Sequence, residues 1–149
     1  MEYRAGFRKY KIMLWLAAAF FLFCAIMAWR ADQRGAALCF VAFLPFVIYS
    51  LVSYSHIIIS DKMIRVVALF SEYQMTWLDV KRLEVGPQGT LVFYSRDNNR
   101  LVAPSLNLWS GQQSRPARDF LSEQLTLFET PIRRSAWADY KIHKGVKLK

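Results

Sequence analysis

The chain has 149 residues, room for one modest domain or for a small domain with an appendage. Hydrophobic residues make up 54% and aromatics 15%, both high for a soluble domain, while 21% charged is ordinary; this argues against one uniform soluble core and for two zones. The net charge of +9 raises nucleic acid, acidic partners or an anionic membrane face, and its placement decides among them.

In residues 1–11, MEYRAGFRKYK, Tyr3, Phe7 and Tyr10 recur at helical spacing beside Arg4, Arg8 and Lys11. That pattern predicts a short interfacial helix on the inner leaflet, with a disordered basic stub as the plainer alternative. Residues 12–29 and 36–55 are then two uncharged apolar runs. Each approaches the roughly 20 residues that cross a bilayer core as a helix. The first is longer than the apolar part of a usual signal peptide, and no small-x-small cleavage site follows it. The connector RADQRG, residues 30–35, forces an antiparallel helical hairpin. Arg4, Arg8, Lys9 and Lys11 precede it and fourteen Lys or Arg follow it, which places both termini in the cytoplasm by the positive-inside rule. Trp29 and Tyr54 are expected as interfacial aromatics. Pro45 is expected to kink the second span, and Ala18 and Ala25 to let a partner helix approach closely; these three are the candidate packing positions within the spans. Cys24 and Cys39 fall at similar depth, so a disulfide is geometrically conceivable, although two small apolar side chains suffice as an explanation.

From His56 the period changes. HIIIS (56–60), MIRVVALF (63–70), YQMTW (73–77), LDVKRLEV (78–85), TLVFYS (90–95) and RLVAPS (100–105) read as short strands separated by turn signals. The third and fourth meet in the phrase MTWLDVKRLEV. There Trp77 is expected to pack inside or on the rim of a small barrel and Asp79 to cap the turn. Val80, Leu83 and Val85 should resume the core, leaving Lys81 and Arg82 outward. A helix follows, with Ser114 as its cap and Pro116 in its first turn. Ala117, Phe120, Leu121, Gln124, Leu125 and Phe128 form one face, suited to covering an open edge or end of the sheet. The tail, residues 131–149, is basic and interleaved with Trp137, Tyr140 and Ile142. It is expected to lie along the inner leaflet, to dock on a partner, or to stay solvated.

The soluble part carries fourteen Lys or Arg against nine Asp or Glu, and six of those cations follow Ile132. A juxtamembrane origin accounts for the charge without nucleic acid. No glycine-rich phosphate loop and no G-x-S-x-G elbow occurs. Asp79 and Glu84 read as structural or solvated carboxylates, and neither His56 nor His143 has a nucleophile near it in sequence. No metal set of the usual Cys/His spacing is present, so neither an enzyme nor a cofactor is expected.

The phrases IIISDKMIRVVALF, MTWLDVKRLEV, TLVFY and LNLWSG before RDFLSEQL, in that order after a membrane hairpin, resemble small membrane-anchored bacterial pleckstrin-homology-like (PH-like) domain proteins. Met75, Trp77, Asp79 and Val80 carry the recurrent hydrophobic-Trp-x-Asp-hydrophobic phrase of that family. The resemblance implies a seven-stranded, strongly bent antiparallel sheet or barrel over residues 56–130, capped by one C-terminal helix. Six strands are legible, and the seventh is expected within 80–86 or 103–110. It further implies an assembly or interaction role in the bacterial inner membrane, within a larger integral membrane protein complex. The alternative is a lipid- or ligand-binding module at the inner leaflet, with anionic lipid headgroups among its partners. Candidate contacts for a partner or headgroup are Lys81, Arg82, Arg133, Arg134, Trp137, Lys141 and Lys144.

Overall fold

A computed structural model describes residues 1–148. Two helices, α1 (Arg8–Arg30) and α2 (Arg34–Ser53), pack antiparallel, and both are long and apolar enough to cross a membrane. Their contact is one narrow seam. Ala25 on α1 and Ala37 and Val47 on α2 are buried in it, and Phe21 stacks on Phe43 at 5.1 Å. Much of both surfaces is exposed, Trp15, Phe20, Phe23, Phe46 and Ile48 included. Ala25 is thus taken up by the hairpin itself and Ala18 is half-buried. Pro45 lies inside α2 but on an exposed face, not in the seam. Cys24 and Cys39 are free thiols.

The N-terminal segment overturns the helical reading. Residues Glu2–Gly6 form a strand, β1, that pairs antiparallel with β2 (His56–Ser60) along its whole length, from Glu2↔Ser60 to Gly6↔His56. The apparent helical spacing of Tyr3, Phe7 and Tyr10 hid a period of two: Ala5 and Phe7 are buried and Tyr3 packs against the same core. The two helices are therefore an insertion between neighbouring strands of one sheet. Only Phe7 separates β1 from α1, and only Tyr54 and Ser55 separate α2 from β2. Both ends of the hairpin meet where Gly6 pairs with His56.

The meander continues through β3 (Met63–Val67) and β4 (Glu72–Thr76), giving a first sheet in the order β1-β2-β3-β4 with the short C-terminal β9 (Lys147–Leu148) on its far edge. The second sheet has the order β7-β6-β5-β8, from β5 (Val80–Val85), β6 (Leu91–Ser95), β7 (Arg100–Ala103) and β8 (Ile132–Arg134). β8 runs parallel to β5 and every other pairing is antiparallel. The six strands read from sequence are all present; the unread ones are β1 before the hairpin and β8 and β9 towards the C-terminus. The expected seventh strand is absent, since 80–85 is β5 itself and a 3-10 turn, Leu106–Leu108, follows β7. The 63–70 strand is shorter than expected. It stops at Val67, because Ala68 N–H bonds the Ser71 carbonyl and Leu69 N–H bonds the Val52 carbonyl of α2, and Phe70 points outward, 82% exposed.

A 3-10 turn, Trp77–Asp79, passes the chain from one sheet to the other. Trp77 is 1% exposed, and its indole N–H donates to the Ser60 carbonyl at 2.7 Å. Asp79 accepts from the Thr76 hydroxyl at 2.6 Å, tying the turn through a side-chain pair rather than a backbone cap. The pairing register shifts between Val80 and Arg82. That irregularity lets Val80 and Leu83, three apart, both face the core.

Helix α3 (Ser114–Leu127) buries Ala117, Phe120, Leu121, Gln124 and Leu125 against the first sheet, with Tyr3 meeting Phe120 at 5.0 Å. Phe128, just past its end, stacks on Trp77. Ser114 does not cap the helix; Gln113 holds that position and the Ser114 hydroxyl donates to the Gly111 carbonyl. The LWSG phrase anchors the base of the hairpin. Trp109 is buried, with its indole N–H on the Pro104 carbonyl. Ser110 exchanges two backbone hydrogen bonds with Gly6, and its hydroxyl accepts the Arg8 N–H at 2.7 Å. That contact satisfies one of the unpaired donors that open any helix.

Candidate functional site

The C-terminal segment is built into the domain, contrary to the expectation of a solvated tail. After β8, Ala138 is fully buried with Val92, Tyr94 and Val102 on the outer face of the second sheet. Arg100 and Lys144 exchange backbone hydrogen bonds of 2.8 and 2.9 Å, then the Gln74 N–H bonds the Val146 carbonyl, and β9 joins β4. The segment is a strap that ties the β7 edge of one sheet to the β4 edge of the other.

Two side-chain clusters fasten it. In the first, Glu84 on β5 accepts from Arg82 Nε at 3.3 Å and from Lys141 Nζ of the strap, while both cations lie over the Tyr94 ring. Burial opposes both charges of the Glu84–Lys141 pair. Burial is the largest single influence, but their mutual hydrogen bond and attraction, with the Tyr94 hydrogen bonds and, for Glu84, the Arg82 charge, together outweigh it and hold the carboxyl below, and the ammonium above, its ordinary range. In the second cluster, His143 stacks face to face on Tyr73 at 3.8 Å and its Nδ1 accepts the Val102 N–H at 3.1 Å. Burial pushes its pKa down to about 4, consistent with a neutral ring accepting at Nδ1. His56, at the base of α2, also lies below its ordinary value, through burial and then the nearby Arg4 guanidinium, which is 3.2 Å from its Nδ1.

The candidate contact residues divide accordingly. Arg82 and Lys141 are engaged internally at Glu84, so their charges are not free for a partner. Lys81, Arg133, Arg134, Trp137 and Lys144 are exposed, with Trp137 packed beside Tyr140 at 6.2 Å. They do not converge on one point, and Lys144 serves the strap through its backbone.

What the sequence reading missed is a cleft of about 610 Å³ where strap, first sheet and hairpin meet. One wall is α2, through Phe46, Tyr49, Ser50 and Ser53. A second is the loop that carries Phe70. The third is the strap, from Asp139 to His143, and Tyr10, Tyr54 and Tyr73 complete the lining. Phe46, Tyr49, Phe70, Tyr140 and Ile142 are all largely exposed. The sequence signal was the aromatic density of three segments far apart in the chain, which only the strap's docking brings together. A smaller polar recess of about 300 Å³ lies behind the Trp-x-Asp phrase, with Asp79, Asp97 and Asn99 among its lining residues. Among the described residues no cluster of three or more His, Cys, Asp or Glu is arranged to hold a metal ion.

No known protein-family model matches the chain, and neither the curated proteins nor the solved structures provide a match.

Proposed function

We propose that this protein is a non-enzymatic accessory or assembly subunit of a larger complex in the bacterial inner membrane, with a PH-like domain as its interaction module. The observation that carries the reading is the insertion of the hairpin between β1 and β2. One linking residue on one side and two on the other leave the domain no freedom to swing away from the span ends. A sheet domain seated this way offers a partner a fixed face at a fixed height above the bilayer. The hairpin contributes a second face, since its own seam uses one stripe and leaves the remaining apolar surface to lipid or to other helices. The PH-like reading draws support from strand order: a four-strand meander, a three-strand meander, then one helix.

Solubilisation of native membranes in mild detergent, followed by affinity capture of the full chain, tests the proposal. A stable co-purifying membrane complex is the expected outcome. Migration solely as a free monomer or homodimer overturns it. A second reading, a lipid-binding module, is favoured by one specific observation, the juxtamembrane cleft.

A further inference from the structure

The cleft changes character along its length. Phe46 and Ser53 are seven residues apart on α2, about 10 Å along the axis at 1.5 Å per residue, so its helical wall climbs two turns up an apolar helix. Opposite stand Phe70, 82% exposed, and Ile142, 72% exposed. The loop bearing Phe70 is fixed to α2 by the Leu69 N–H bond to Val52, so these side chains stay at the height of the last helical turns. A water-facing domain does not keep large apolar groups converging on one opening without an occupant. Deeper in, the lining turns to phenol and imidazole rings, with Tyr54 touching Tyr10 and His143, and His143 stacked on Tyr73. This is the order of environments a phospholipid presents, chain first and headgroup second.

Charge narrows the headgroup. Lys141 is the one cation among the described residues that line the cleft, and its ammonium is held by Glu84. Asp139 stands on the same rim but turns its carboxylate away from the cleft, with Oδ2 accepting the Gln88 N–H and Oδ1 buried over Gly86. The lining thus provides ring faces but no unpaired cation. Ring faces attract ammonium groups, and a surplus anion finds nothing to neutralise it there. We propose that the cleft binds one zwitterionic, ammonium-bearing phospholipid of the adjoining leaflet, its acyl chain along Phe46 and Phe70 and its ammonium beside the Tyr54 and Tyr73 rings. The inference rests on the membrane-spanning reading of α1 and α2 and is independent of any partner complex.

The test uses the purified full-length protein in phosphatidylcholine nanodiscs. These are doped with a phosphatidylethanolamine or a phosphatidylglycerol that carries a diazirine near the glycerol end of one chain, and adducts are mapped by mass spectrometry after illumination. The site predicts adducts on residues 68–73 and 139–143, several-fold stronger with the ethanolamine probe. It also predicts their loss in Ala68→Trp, which fills the cleft, while adducts on the exposed faces of α1 and α2 persist. Adducts on the helices with none on the two cleft segments in the unaltered protein overturn the site. Equal or stronger labelling by the glycerol probe overturns the headgroup assignment. Absence of adducts from the helices as well overturns the membrane reading and the site with it.

Discussion

Acidification should loosen the strap through one histidine. In the folded chain His143 holds a pKa of about 4, against 6.5 when solvated. Between those values the unfolded state binds more protons than the folded one, so stability falls as pH drops through that window and the loss is complete below about pH 4. At about 1.4 kcal/mol per pH unit the gap amounts to about 3 kcal/mol, and screening at the open edge of the ring brings it to about 2–3 kcal/mol. His143→Phe keeps an aromatic ring on Tyr73 but removes the titration. It also strands the Val102 N–H, which costs about 1 kcal/mol at neutral pH. Unfolding of both proteins in detergent, followed by fluorescence from pH 7.5 to pH 3.5, separates the terms. Carboxylates and His56 titrate in both proteins and cancel in the difference. The unaltered protein should be the more stable at pH 7 and lose about 2–3 kcal/mol more than the variant by pH 3.5. Parallel pH profiles would refute the assignment of the buried, neutral imidazole.

The remaining predictions concern the strap and the hairpin base. Glu84→Gln leaves Arg82 and Lys141 beside each other without their shared anion and should cost about 1–2 kcal/mol, with faster amide exchange over residues 138–144 as the local readout. Because the Glu84 carboxyl titrates below its ordinary range, its contribution is present above the unfolded value and fades as pH falls through the folded one; the variant should lack that fraction of the acid sensitivity. Gly145 sits at φ +70°, and a methyl group there would overlap the Asn99 side chain, so Gly145→Ala should destabilise strap docking by about 1–2 kcal/mol, visible as protease cleavage after Lys144. Ser110→Ala removes the acceptor of the Arg8 N–H and should lower stability by about 1 kcal/mol in denaturant titration while leaving α3 helicity unchanged.

The parts of the fold legible in the sequence were those written in local periodicity. The apolar runs gave the hairpin, and the β-branched run through Ile57 and Ile59 with the alternation of Ile64 and Val66 gave the first strands, all four fully buried. The stripe from Ala117 to Leu125 gave α3. β1 was illegible for two reasons. Five residues are too few for a period of two to stand out against Tyr3, Phe7 and Tyr10 at helical spacing. Its partner lies some fifty residues downstream, beyond a segment with a different period. The strap was hidden because its docking depends on scattered single contacts, buried Ala138, Lys141 on Glu84, neutral His143 and Gly145, in a segment whose composition announces only positive charge. Of the contact candidates, Lys81 and Arg82 were read together as outward. The side chains diverge because Glu84, two residues on, captures Arg82. The cleft itself has no sequence signature of its own, being an accident of three distant segments until the strap closes one side.

The placement of the hairpin between β1 and β2 carries a consequence for biosynthesis. β1 leaves the ribosome before β2 and has no partner until both helices and the turn between them have been made. In the membrane-spanning reading, its pairing with β2 is reachable only when the chain has crossed and returned. Insertion of a single helix would strand the two halves of the ladder on opposite sides of the bilayer, with the Ile57 and Ile59 face uncovered. In that reading, completion of the first sheet would report that both helices had been inserted. A misinserted chain displays an unpaired, apolar strand, the kind of surface that quality-control proteases and chaperones engage.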